Sequence, residues 1–226
     1  MAKKKLKDRN PITRWKIISK NKDLFNPNNK VVICGLIDEE LEYNHREKGQ
    51  RTTYYRTVVK TVEENGRINK IPIYLSKEMH PGEEVKGKWI EIAGIIRTYR
   101  GNAEDGHRYL SMGVYATEVN IYDDMEKSKE KSYINSVYLK GVLNIDAYST
   151  YGNKTDMQII VTDPKRKDTY CIPCIVLGVN VKRAERLKTK DKISFFGKFQ
   201  SKTIPENKKH PERTAYEVAM FKYREY

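Results

Sequence analysis

Aromatic rings set one or two residues from guanidinium or ammonium groups are the chemistry this chain offers in quantity. Sixteen Tyr, five Phe and two Trp stand among 44 Lys and Arg. In the first half the interleaved sets are Tyr54-Tyr55-Arg56, Trp89 beside Lys88, Arg97-Thr98-Tyr99-Arg100, and Arg108-Tyr109. In the second half Tyr148, Tyr151 and Tyr170 flank cations at Lys154, Lys165, Arg166 and Lys167, and Lys202, Lys208, Lys209 and Arg213 follow. Flat side chains stack on unpaired bases, and cations that meet phosphates release counterions. The pattern therefore suits an unpaired polynucleotide held without regard to its sequence. The plainer alternative is that the rings pack against another part of the chain or a second subunit, and that the cations sit on solvated loops.

Other chemistries find little support. Cys171-Ile172-Pro173-Cys174 has the C-x-x-C spacing, but a redox pair belongs at a helix N-terminus, where the thiol pKa is lowered. This one lies in an apolar strand pattern, where residues three apart point to opposite faces. A zinc site would need a second pair or matched histidines, and His45, His80, His107 and His210 are scattered. Cys34 reads as core. Gly152-Asn153-Lys154-Thr155 lacks the upstream glycine of a phosphate-binding loop. Asp38-Glu39-Glu40 and Asp123-Asp124 read as solvated acidic runs. We expect no enzyme activity, no metal and no cofactor.

Net charge is +14, and it is unevenly spread. Residues 1–30 hold ten Lys/Arg against two acidic residues, residues 31–124 hold 13 against 16, and residues 125–226 hold 21 against 12. The positive field, which favours polyanions, thus belongs to the N-terminal segment and the second half. No apolar run approaches the ~20 residues of a membrane span, and the basic N-terminus lacks the apolar stretch of a secretory signal. Three cysteines do not make a disulfide framework. A cytoplasmic protein is expected. The wealth of Lys, Ile, Asn and Tyr points to an AT-rich bacterial, plasmid or phage genome.

The elements that must position these side chains occur twice. VVICGLI (31–37) returns as VYLKGVL (137–143), KIPIYL (70–75) as CIPCIVLG (171–178), KWIEIAG (88–94) as KISFFG (192–197), and YATEVNI (115–121) as AYEVAMF (215–221). The order is kept, with offsets of 106, 101, 103 and 99 residues. This period is too long for a solenoid and suits two copies of one domain of about 100 residues. Each copy alternates apolar and polar residues, with Asn65-Gly66 as a strong hairpin signal. A bent, glycine-bearing first strand, five short strands and a long hairpin between the fourth and fifth predict an all-β protein of two tandem OB-fold barrels, each a five-stranded Greek key. Ile33, Ile71, Ile73, Ile90, Ile92 and Val119 are expected to fill the first barrel. On its fourth strand Ile90, Ile92 and Ile96 share one face, while Trp89, Arg97 and Tyr99 share the other. The expected layout is a basic arm (1–29), barrel one (30–122), a charged linker (123–134) and barrel two (135–226). DEELEYNHREKGQ (38–50) reads as a polar loop, and NVKRAERLKTKD (180–191) as a helix peculiar to the second barrel.

IEIAGIIRTYR with Arg97-Thr98, CIPCIVLG followed by AERL (184–187), and the opening NKVVICGLI (29–37) resemble the bacterial single-stranded DNA-binding protein family. Tail-less primosomal replication proteins with the same barrel fit as well. The chain departs from the family pattern in three ways. Ser76 and Leu177 stand where members carry a stacking tryptophan. The sequence closes on FKYREY rather than an acidic, apolar-tipped tail. Two barrels share one chain. The resemblance implies sequence-independent binding of single-stranded DNA in replication, recombination or conjugative transfer, and pairing of two chains to give four barrels. Replication or transfer proteins are candidate partners, the composition suits a phage or mobile element, and the absence of a long apolar run leads us to expect no membrane association. A primosome-like adaptor and an RNA-binding protein are the alternatives.

Overall fold

The period-two alternation becomes strand almost throughout the computed structural model, which describes residues 27–47, 52–102, 108–129, 131–149, 153–164, 167–206 and 212–225. The first barrel comprises β1 (Asn29–Ile37), β2 (Glu42–Arg46), β3 (Thr53–Val62), β4 (Ile68–Ser76), β5 (Trp89–Asn102) and β6 (Arg108–Tyr122). The second comprises β7 (Ile134–Leu143), β8 (Tyr148–Ser149), β9 (Lys154–Thr162), β10 (Thr169–Leu177), β11 (Lys192–Ile204) and β12 (Arg213–Glu225). Pairing runs β1-β3-β4-β6-β5 and back to β1, antiparallel except for β4 with β6. It runs β7-β9-β10-β12-β11 and back to β7 in the second, antiparallel except for β10 with β12. Both are five-stranded OB barrels, with β2 and β8 as short additions on the β3 and β9 edges.

Closure requires the bent strand to ride directly over its neighbour. A Cβ on Gly35 would collide with the carbonyl oxygen of Lys60, and one on Gly141 with that of Ile160, so neither site admits a side chain. Ile33, Ile71, Ile73, Ile90 and Ile92 are fully buried in the first barrel. Val119, the sixth expected core residue, is only partly buried.

The barrels join through their first strands. β1 pairs antiparallel with β7, and Val31 lies opposite its own counterpart Val137, which places a local two-fold axis between them. Each of these strands carries near its start an asparagine whose side-chain amide continues the ladder. Asn29 Nδ2 donates to Ile96 O at 2.7 Å, and Ile96 N donates to Asn29 Oδ1 at 2.9 Å. Asn135 repeats this with Phe199 at 2.6 and 2.9 Å. The β3–β4 hairpin crosses onto β11: Lys198 Nζ meets Glu63 Oε2 at 2.8 Å, and Arg67 Nη2 and Lys70 N donate to Ser201 O and Oγ at 3.3 and 3.1 Å. Burial alone would raise the Glu63 pKa. The Lys198 and Asn69 hydrogen bonds outweigh that and lower it.

Three expectations change. The closing strands correspond at an offset of 104 residues, not 99: Gly94 pairs with Ala116 as Gly197 pairs with Met220, and Ile95 with Tyr115 as Lys198 with Ala219. Val218 is therefore the partner of Val114 rather than of Val119. The segment read as a polar loop folds back as β2 onto β3. The segment read as a helix over 180–191 is a single α turn, Val181–Ala184, after a 3-10 turn Gly178–Asn180. Within the linker, Asp124 Oδ1 accepts from Lys127 N at 3.0 Å and caps a 3-10 turn, Met125–Lys127. Among the described residues, no helix is long and apolar enough to cross a membrane.

Candidate nucleic-acid interface

The outer face of β3, β4, β5 and β6 carries an aromatic cluster that has no counterpart among the described residues of the second barrel. Inward residues in β4 are Ile71, Ile73 and Leu75, so Tyr74 between them points outward. The same parity sends Tyr54, Ile95 and Tyr115 out, and the four form one buried group. Tyr74 and Tyr115 stack with centroids 4.5 Å apart and planes 13° apart, while Tyr54 meets Tyr115 edge-on at 5.0 Å. Arg97 lies over this face, its Cζ 4.4 Å from the Tyr115 centroid and 5.8 Å from that of Tyr54. Its Nη1 donates to Glu47 Oε1 at 3.3 Å, and its buried Nε meets no acceptor among the described residues. β2 delivers His45, which stacks on Tyr54 at 5.3 Å. Tyr99 stands at the open rim, 41% exposed and 6.5 Å from His45. Exposed Arg100 follows it.

Burial pushes the Tyr74 hydroxyl up to about 12, helped by its neighbour Tyr99, and pushes Tyr115 higher still. Both are neutral rings under any ordinary condition. Burial also lowers the His45 pKa, Glu47 opposes this, and Arg97 lowers it further. The folded state therefore binds fewer protons here than the unfolded chain, whose imidazole titrates near 6.5. The contribution of β2 packing is complete above pH ~6.5 and lost as pH falls below it. Amide exchange in Glu42–Arg46, corrected for its intrinsic pH dependence, is expected to speed up between pH 7 and pH 5.5 and to lose that response in His45→Gln. An unchanged exchange profile in the wild type would contradict it.

The sequence-derived candidates divide. Arg97, Tyr99 and Arg100 share the aromatic face. Tyr54 belongs to it but is buried beneath His45, so it underlies the surface rather than forming it. Arg56 is engaged elsewhere, with Glu39 at 3.2 Å and with Tyr216 of the second barrel. Tyr55 packs against His80 at 4.4 Å. Trp89 requires correction. Its strand face is the expected one, yet it is 1% exposed, because the linker closes over that end of β5 and sets Tyr133 5.1 Å from the indole. It offers no surface to a base. Cys34 is buried in the same outer cluster rather than in the barrel interior. Arg108 and Tyr109 lie in β6, paired with Asn102 and Gly101.

In the second barrel Tyr170 also requires correction: it is buried in the core, its hydroxyl 3.2 Å from Asp168 Oδ2. Lys154 pairs with Asp156 at 2.8 Å. Burial alone would lower its pKa, but the Asp156 hydrogen bond and the Glu217 charge leave it raised. Tyr148 is exposed on β8, and Lys167, Lys202 and Arg213 are exposed. Tyr151, Lys165, Arg166, Lys208 and Lys209 lie outside the described residues, as does the arm up to residue 26. Cys171 accepts from Asn144 Nδ2 at 3.7 Å, while Cys174 is buried. Among the described residues no three His, Cys, Asp or Glu gather as metal ligands.

Position by position, the second barrel replaces the rings with aliphatic or polar side chains, Ile175 standing where Tyr74 does. Strand registers match Tyr54 with Lys154, Ile95 with Lys198, Arg97 with Gln200, Tyr99 with Lys202 and Tyr115 with Ala219. Gln200 there donates to Glu217 at 2.7 Å. Sequence reasoning missed Tyr74, Tyr115, His45 and Glu47. Strand parity alone could have found the two tyrosines.

No family model matches the chain, and neither does any curated protein. Among solved structures, the wild-type single-stranded DNA binding protein from Thermus aquaticus aligns at TM-score 0.60 and 15% identity, covering 87% of this chain and 92% of that one. A deletion mutant of the same protein aligns at TM-score 0.60 and 15% identity, covering 87% and 93%. Coverage of that extent spans both barrels here, and the likeness establishes the fold: tandem OB barrels in the arrangement of the Thermus aquaticus protein.

Proposed function

We propose that this chain binds single-stranded DNA without sequence preference, through bases stacked at the rim of the first barrel and phosphates drawn to cations of both barrels. The observation that carries the reading is the Arg97-capped tyrosine cluster with Tyr99 and His45 at its open edge. Three buried rings, two of them stacked, support a rim of one tyrosine, one imidazole and an exposed arginine, the aromatic and cationic pairing that base stacking uses. The shared fold with a protein that binds single-stranded DNA and the +14 net charge support the same reading. Work in replication, recombination or conjugative transfer, a cytoplasmic setting, and pairing of two chains into four barrels complete the proposal.

The test is titration with fluorescein-labelled oligo-dT at several salt concentrations, with duplex DNA and poly-U as competitors. Affinity is expected to fall steeply and log-linearly with salt, and poly-U to compete weakly. A flat salt dependence or equal competition by duplex would overturn the reading, and stronger competition by poly-U would move the target to RNA. Because Trp89 is sealed beneath the linker, its emission in a Trp15→Phe variant is expected to stay unchanged at saturating oligo-dT. Strong quenching would show that the linker opens on binding.

A further inference from the structure

The two barrels differ sharply where the third strand of each ends. In the first, β4 runs into a short turn, Lys77–Met79, then His80-Pro81. In the second, β10 runs into Gly178–Asn180 and the α turn Val181–Ala184. Gly178 sits at φ +69°, a conformation that suits glycine and swings the chain away from the sheet. Val181, Ala184 and Leu187 are buried and plug the barrel end. Three-and-four spacing then puts Val179, Lys182, Arg183 and Arg186 together on the opposite side, and all four are exposed. Val179 is 97% exposed, and Leu177 just before it is exposed as well.

We propose that this knuckle docks an acidic protein segment that carries an apolar side chain among its carboxylates. The chemistry selects that partner. Residues 177–187 hold three cations and one acid, Glu185, so the local field attracts carboxylates. Phosphates would be drawn too, but a nucleic acid gains nothing from Val179 and Leu177, which provide no flat ring for a base. A peptide whose apolar side chain covers Val179 while flanking Asp or Glu residues meet Lys182 and Arg186 uses both halves of the surface. The first barrel supplies an internal comparison. Its equivalent turn presents Lys77 and Glu78 in place of Gly178 and Val179, and no helical turn follows.

The test uses the full chain as bait for a random peptide display library, followed by fluorescence anisotropy with the enriched peptide. The enriched sequences are expected to combine Asp or Glu with Leu, Ile or Phe. Lys182→Glu/Arg186→Glu should weaken the peptide tenfold or more and Val179→Ser several-fold, with the thermal midpoint held because all three side chains are exposed. Val179→Ser should leave oligo-dT affinity unchanged, so this proposal and the single-stranded DNA reading stand or fall separately. Absence of an acidic, apolar consensus, or peptide binding indifferent to these substitutions, would overturn it. Loss of oligo-dT affinity in Val179→Ser would instead assign the surface to the nucleic acid track. Concentration-dependent self-association abolished by the charge reversal would assign it to a second copy of this chain.

Discussion

Asn29→Ala is expected to cost about 3 kcal/mol of folding stability, and Asn135→Ala about half of that. Each asparagine makes two hydrogen bonds to a backbone N–H and C=O of one residue across the ladder, Ile96 or Phe199. Removing the side chain strands both backbone groups, at about 1–3 kcal/mol for each one left dry. Asn29 is fully buried, whereas Asn135 is half-buried and lets water take over part of the task. Asn29 also sits on β1 where it pairs with β7, opposite Leu139, so the damage reaches the seam between the barrels. Asn29→Asp sharpens the test. The ionised carboxylate accepts from Ile96 N but faces Ile96 O with no proton to give. Its folded pKa is therefore raised, and the variant should be most stable below the unfolded carboxylate value of ~3.9 and lose stability as pH rises through its folded pKa. Urea unfolding of the variants at pH 7 checks the magnitudes. Equal, sub-kcal losses at both positions would show that the amides contribute only local order.

Much of the fold is legible in the sequence because barrel closure imposes residue types at fixed places. Gly35 and Gly141 occupy equivalent bends where a backbone oxygen excludes any side chain, and they anchor the repeat correctly. The closing strand shows the limit of such matching. Glu118-Val119 and Glu217-Val218 look alike, but the hydrogen-bond ladders align Val114 with Val218. The five-residue slip set Val119, which lies beyond the register shift in β6 and packs at the margin of the core, against Val218, which lies before the equivalent shift in β12. Trp89 fails for a different reason. Alternation assigns its face correctly, but exposure of that face is decided by a linker distant in sequence from β5, and Tyr133 and Met125 cover it. His45 was hidden because a segment of mostly polar residues shows no period until β3 supplies an edge to pair with.

Tyr99→Ala is expected to weaken oligo-dT binding by tenfold or more while leaving the thermal midpoint and the salt slope as they are. The ring is 41% exposed at the rim, so its loss opens no cavity. One stacked base is worth about 1–3 kcal/mol, which is roughly 6- to 150-fold in affinity. No counterion is released by stacking, so the logarithmic salt dependence should not change. Arg100→Ala is the converse: an exposed cation whose removal should lower the slope by about one and affinity more modestly. Arg97→Ala should behave like neither. Its guanidinium is clamped between the Tyr115 ring and Glu47 and is mostly shielded from solvent. Its removal forfeits a desolvated cation–π contact of about 2 kcal/mol and the ion pair with Glu47. Melting temperature and affinity should fall together, with exchange in β2 rising. The three variants thus separate stacking, phosphate contact and scaffold on one surface. If Tyr99→Ala binds oligo-dT as the wild type does, the rim of the first barrel is not where the bases lie, and the cationic face of the second barrel becomes the place to look.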